Sequence, residues 1–309
     1  MTKLCEDLEG VLGVYLGGRT YEAYQWFEAS LKPILVDLER LMVPPGWVGR
    51  RLVVYRIRRT TRQRLRRQDI FHLPFELRHK ATMKRYSVPG VPMLYLGGCV
   101  YICWKEMGSP RFDEIQVSAF GTRKDASPRI LNFGFRPGYI GRLVKDANNM
   151  RQQGMREFVT SYCVCWPLMA LCSIKAKRRD KPFVPEYVLP QMVLQWLTAR
   201  KELAGIRYFS CNWDHDTGEP YHMCNCVFPP KEFPVAGLCR DLQTLFDWTS
   251  PLPWRELVAA TPSPIDMTEC PDVDIKLPHR IITNYRSTVC GRVEACLHGR
   301  ILKRLHVRR

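Results

Sequence analysis

No stretch of this 309-residue sequence approaches the run of about 18 apolar residues that marks a membrane span. Its most hydrophobic segment, residues 158–174, is broken by Pro167. No membrane association is expected. The opening residues, MTKLCEDLEG, lack a signal-peptide pattern, and the 13 cysteines are odd in number and without a short repeated spacing. Reduced thiols and a cytoplasmic location are the expectation. Neither G-x-G-x-x-G nor G-x-x-x-x-G-K occurs, which argues against a Rossmann dinucleotide fold and against a P-loop. Internal repeats and low-complexity tracts are also missing, and with 46% hydrophobic residues the chain has enough apolar material to fold.

Acidic residues are scarce: 30 Asp and Glu against 47 Lys and Arg give a formal net charge of +17. Polyanions and phosphate-bearing ligands are attracted to such a surface, so nucleic acid stands as one class of partner and a dinucleotide as another. Cys211, His215, His222, Cys224 and Cys226 crowd into sixteen residues but contain no C-x-x-C pair. Cys224 and Cys226 alternate as on a strand, so no metal site is expected.

Over residues 20–42 the apolar positions Tyr24, Phe27, Leu31, Ile34, Leu35, Leu38 and Leu41 recur at helical spacing, and Pro44, Pro45 and Gly46 close the segment. Nine arginines fall within residues 50–67, around the strand-like LVVYRI. They read either as a solvated basic loop or as a phosphate-facing edge, with Arg56 the member placed to enter a site. Residues 84–107, KRYSVPGVPMLYLGGCVYICWKEM, have the grammar of turn, short strand, glycine break and helix, with Glu106 near the helix end. IQVSAF and RILNFGF read as an antiparallel pair around GTRKDASP, and Pro185 opens a further helix. GIRYFS and CNCVFPP read as a hairpin with a long loop, and the tail GRILKRLHVRR reads as a solvated or partner-facing extension.

The string RYSVPGVPMLYL…WKEM, with Arg85, Tyr95 and Glu106, resembles the core of the RES domain, a family of toxins acting on NAD. Downstream, Ser210 in GIRYFS and Asn225 in NCVF occupy positions similar to the family's serine and asparagine, and Arg56 in VYRI is similar to the arginine of its opening strand. The resemblance spans roughly residues 52–230. It implies an α+β fold with the split antiparallel sheet of ADP-ribosyltransferases, in a catalytic domain over 50–230 that follows a helical extension (1–49) and precedes a Pro-rich, then basic, extension (231–309).

Each residue has a chemical task in such a reaction. Loss of nicotinamide from NAD develops an oxocarbenium-like ribose, which a fixed carboxylate such as Glu106 stabilises. Arg85, supported by Arg56, suits the pyrophosphate. Tyr95, with Tyr86 nearby, offers a stacking ring. Ser210 has a positioning hydroxyl, with nothing in the sequence that shows a histidine base activating it, and His72 in DIFHLPFELR is either a ribose or phosphate contact or a structural residue. NAD is then a substrate, and no cofactor is expected. Water, inorganic phosphate or a macromolecule captures the ADP-ribose, making the enzyme a glycohydrolase, a phosphorylase or an ADP-ribosyltransferase. A separate antitoxin is the partner the family implies. The rival from another class is a basic nucleic-acid-binding protein that leaves NAD intact.

Overall fold

The structure, a computed structural model, describes residues 2–42, 52–60, 64–123, 128–178, 181–211, 223–261, 274–276 and 282–307. The chain opens with helices α1 (Thr2–Leu16), α2 (Thr20–Leu31) and α3 (Leu35–Met42). Strands β1 (Val53–Arg59) and β2 (Leu94–Gly97), helix α4 (Val100–Glu106) and strand β3 (Ile115–Thr122) follow. Strand β4 (Arg129–Phe133) leads into α5 (Pro137–Lys145), α6 (Ala147–Arg151) and α7 (Gln153–Cys172), and α8 (Val188–Thr198) precedes β5 (Leu203–Phe209) and β6 (Cys224–Phe228). The rest comprises α9 (Arg240–Leu245), β7 (Phe246–Trp248), the short β8 (Leu252–Pro253), α10 (Trp254–Ala259), the antiparallel pair β9 (Asp274–Lys276) and β10 (Ile282–Asn284), and α11 (Val289–Val307).

The fold is α+β and divides into two compact units, each woven from three separate segments. The first takes Met1–Gly49, Leu77–Pro92 and Arg129–Arg207; the second takes Arg50–Glu76, Met93–Pro128 and Tyr208–Arg309. No described helix is long and apolar enough to cross a membrane.

In the first unit, α1 and α2 pack through Leu4, Leu8 and Val11 on one side and Ala23, Phe27 and Leu31 on the other, all buried. The helix read over residues 20–42 is two helices, because Pro33 has no N–H to continue the ladder and a 3-10 turn, Lys32–Ile34, separates them. α3 packs on α7, and Ser161 of α7 donates a hydrogen bond to Asp37 Oδ1 of α3 at 2.7 Å. The apolar run that Pro167 interrupts lies largely within a 20-residue helix that buries one side, including Phe158, Tyr162, Leu168 and Met169. The helix expected after Pro185 begins with a 3-10 turn, Pro185–Tyr187, and continues as α8.

The second unit is built on a sheet in which β6, β2, β1, β3 and β7 lie side by side in that order. The ladders β6–β2, β2–β1, β1–β3 and β3–β7 are all antiparallel. The expected pairing of IQVSAF with RILNFGF does not occur. Both edges of β3 are taken, by β1 on one side and by β7 and β8 on the other, while β4 lies beside β5. On one face of the sheet, Tyr55, Ile57, Val117 and Ala119 pack against α4 and against Val293, Leu297, Ile301 and Leu305 of α11. On the other, Phe71, Phe120, Trp248, Phe246 and Phe228 form a chain of ring contacts.

The tail expected to be solvated is thus half core. Its basic residues hide an apolar stripe that covers Gly121, where an added Cβ would meet Leu305 Cδ1 at 2.8 Å and Ile301 Cγ1 at 3.1 Å. The alternation of basic and apolar residues in GRILKRL is an amphipathic helix rather than a charged extension.

Candidate active site

The short strand and helix read from residues 93–107 are β2 and α4, and they meet at Gly97. A Cβ at Gly97 would lie 2.5 Å from Cys103 Sγ and 3.3 Å from the Cys103 backbone nitrogen, so only glycine lets strand and helix approach this closely. Cys99 stands before the first turn in extended conformation, and its Sγ accepts from the Ile102 N–H at 3.4 Å. Gly97→Ala is expected to destabilise the protein by about 1–3 kcal/mol, as overpacking does, with a matching fall in the urea midpoint at unchanged m value.

Glu106 ends α4. Its Oε1 accepts two hydrogen bonds, from Ser210 Oγ at 2.5 Å and from Asn225 Nδ2 at 2.9 Å. Ser210 is fully buried and Asn225 is 6% exposed, whereas Glu106 itself is exposed. A carboxylate is therefore fixed at the boundary between a buried polar support and solvent. Ser210 is set by the end of β5 and the start of β6, its N–H donating to the Met223 carbonyl at 3.4 Å. Asn225 lies in β6 opposite Gly97, and Tyr95 lies opposite Val227 two positions along. Pleating puts Tyr95, Gly97, Asn225 and Val227 on one face of the sheet.

Arg56 occupies the alternate line of β1, opposite Ser118. Although the residue is only partly buried, its guanidinium is withdrawn from water, and Nη1 has no hydrogen-bond partner among the described residues. Burial, helped by the neighbouring charge of Arg58, lowers its pKa to about 10. His72 is fully buried, and backbone engages both its ring nitrogens: Nδ1 pairs with the Leu73 carbonyl at 2.7 Å and Nε2 accepts from the Cys239 N–H at 2.9 Å. That pattern assigns the neutral Nδ1–H tautomer. Burial holds the His72 pKa down to about 4.

The sign of the resulting pH dependence follows. Between pH 4 and the unfolded value near 6.5 the unfolded chain binds the proton and the folded chain does not, so stability falls as pH drops through this window. Urea midpoints taken across it are expected to decline toward acid, less steeply in His72→Gln.

Arg85 and Tyr86 belong to the first unit. Arg85 donates to the carbonyls of Cys172 (2.7 Å) and Ile174 (2.8 Å), satisfying the C-terminal end of α7, and lies over the Tyr187 ring at 5.2 Å. Tyr86 is buried and hydrogen-bonds the Cys172 thiol. The turn that carries them is fastened by Gln191, whose Nε2 donates to the carbonyls of Lys84 (3.2 Å) and Ser87 (3.1 Å).

Five of the six arginines described in the arginine-rich segment are committed to the protein's own acceptors. Arg59 pairs with Glu114, Arg64 with Glu256 and Arg66 with Asp69, while Arg58 donates to the Asp69 carbonyl. Arg67 pairs with the buried Asp247 and lies 4.2 Å over the Trp248 ring. Asp247 also receives Arg304 Nε of α11 at 3.1 Å. Asp247 was not found by sequence reading, because an isolated FDW carries no mark of an ion-pair hub. No group of three or more His, Cys, Asp or Glu residues suited to a metal occurs among the described residues; His215 and His222 lie outside them.

Aligned over 307 residues, the chain is 26% identical to the Bacillus subtilis (strain 168) protein named "Putative toxin YopC", covering 94% of this chain and 67% of that protein. No protein-family model matches the chain, and no solved structure does.

Proposed function

We propose that the chain cleaves NAD at the bond between nicotinamide and ribose, with Glu106 as the charge-stabilising carboxylate, and that it acts as a toxin. The observation that carries this reading is the fixed Glu106, whose Oε1 is held by Ser210 and Asn225. A carboxylate so oriented meets the positive charge that grows on the ribose as nicotinamide departs, and it does so without reorganising in the transition state. Ser210 directs its hydroxyl proton to Glu106, so it serves as a support and not as a nucleophile. Tyr95, on the face shared with Asn225, supplies a ring for the substrate's flat base. Arg56, which the RES resemblance implies as a phosphate contact, extends from the face of the sheet opposite Tyr95 and Asn225. The ADP-ribosyltransferase type of split sheet is the arrangement we assign to the core, whereas Arg85 and Tyr86, which the RES resemblance also implies, hold the end of α7 in the first unit. The toxin role rests on the name of the Bacillus subtilis relative, and with it comes a separate antitoxin as partner.

Purified protein incubated with NAD is expected to release nicotinamide. Parallel reactions with inorganic phosphate and with cell extract distinguish water, phosphate and macromolecule as the acceptor, from free ADP-ribose, its phosphorylated form or labelled protein. NAD that stays intact in every arm overturns the proposal.

A further inference from the structure

We propose that Glu294 of the C-terminal helix is a positioning residue that clamps the start of α4 and thereby sets Glu106 at its end. This rests on the reading of Glu106 given above. Glu294 is 2% exposed, and its Oε2 accepts from the Val100 backbone N–H at 2.8 Å and from the Tyr285 hydroxyl at 2.8 Å. Val100 is the first residue of α4, so its N–H is one of the donors a helix start leaves without an internal partner. The local cap is weak: Cys99 offers only a sulfur, at 3.4 Å from the Ile102 nitrogen. A carboxylate brought from α11, 194 residues along the chain, completes it.

α4 has seven residues, a span of about 10 Å, so a shift at Val100 is transmitted to Glu106 with little to absorb it. Tyr285 holds the clamp from its other side and is itself fully buried. Cys99 and Cys103 at α4 and Cys290 on its own helix interact electrostatically with Glu294, and Tyr285 hydrogen-bonds it. None of them carries positive charge. Burial raises the Glu294 pKa to about 8, and glutamine keeps the acceptor oxygen that both bonds to Oε2 require.

The test uses the full chain and two readouts, hydrogen exchange of the α4 amides and NAD turnover. Glu294→Met fills the volume but accepts nothing, whereas Glu294→Gln keeps an acceptor oxygen. In the methionine variant the amides of residues 100–107 are expected to exchange about tenfold faster while β1 and β3 stay protected. Its kcat should fall roughly 10- to 100-fold at nearly constant KM, because a misplacement of about 1 Å is felt in the transition state. Glutamine should restore both readouts to within about threefold. Tyr285→Phe removes one arm of the clamp and supplies a milder loss of α4 protection should the methionine variant fail to fold.

Unchanged α4 exchange in Glu294→Met or Tyr285→Phe overturns the clamp. Loosened α4 with unchanged turnover overturns the positioning role. A wild-type protein that leaves NAD intact overturns the proposed activity, and exchange then decides the clamp alone.

Discussion

Glu106→Gln is expected to lower nicotinamide release by about 10³-fold, roughly 4 kcal/mol of transition-state stabilisation. Glutamine has the same shape and keeps an oxygen that can accept from Ser210 and Asn225, so α4 and its contacts should persist and the melting temperature should barely move. What disappears is the negative charge that the proposed reaction sets opposite the developing oxocarbenium ion. The loss should fall on kcat more than on KM, since the charge matters most where the sugar is cationic. Ser210→Ala and Asn225→Ala each remove one of the two donors to Oε1 and should cost about tenfold, through a less well-oriented carboxylate. Because both act through Glu106, combining either with Glu106→Gln should cost little beyond the single glutamine variant. Full additivity in the double variants would place Ser210 and Asn225 in tasks of their own. Full activity in Glu106→Gln would remove the carboxylate from the reaction.

The second large effect concerns stability. Asp247 is 1% exposed and gathers Arg67 from the arginine-rich segment, Arg304 from α11 and the N–H of Trp248. Asp247→Ala leaves two guanidinium groups facing a buried vacancy. Breaking a buried ion pair costs about 3–5 kcal/mol, but both arginines are about one-third exposed and can turn partly to water, so a loss of about 2–3 kcal/mol is expected. The denaturation midpoint should fall accordingly, and proteolysis should reach α11 first, as its Arg304 anchor is released. Replacing Arg64 instead, whose partner Glu256 is exposed, should change the stability by less than about 1 kcal/mol. Equal effects at the two sites would mean that burial of Asp247 does not govern the contribution.

Periodicity made much of the local structure legible. The turn, strand, glycine and helix of residues 84–107 appear in order, because Pro89, Gly90, Gly97 and Gly98 punctuate a run whose apolar residues change period from two to three and a half. What was not legible is long-range. The arginines of residues 50–67 look like a free polyanion-binding edge because the acceptors of Arg59, Arg64 and Arg67 lie 55 to 192 residues away, at Glu114, Glu256 and Asp247. β3 and β4 look like a hairpin, since nothing in either strand shows that β1 and β7 already take both edges of β3. The contact of Glu106 with Ser210 and Asn225 spans more than a hundred residues, and only family likeness, not composition, grouped the three. Glu294 did leave a signal: it falls within the stripe Cys290, Val293, Leu297 and Ile301, and a carboxylate in the apolar stripe of a helix needs a buried partner.

The interleaving of the two units has a consequence for how the protein comes into being. Each unit is assembled from three stretches of sequence, so the first lacks β5 until residues near 207 have been synthesised, and the second lacks Ser210, Asn225, Asp247 and α11 long after Glu106 has been made. Glu106 leaves the ribosome nearly two hundred residues before the helix that caps α4. Folding that waits for such distant partners is slow compared with purely local assembly. A chain halted before α11 would therefore carry the proposed carboxylate without the cap of its helix.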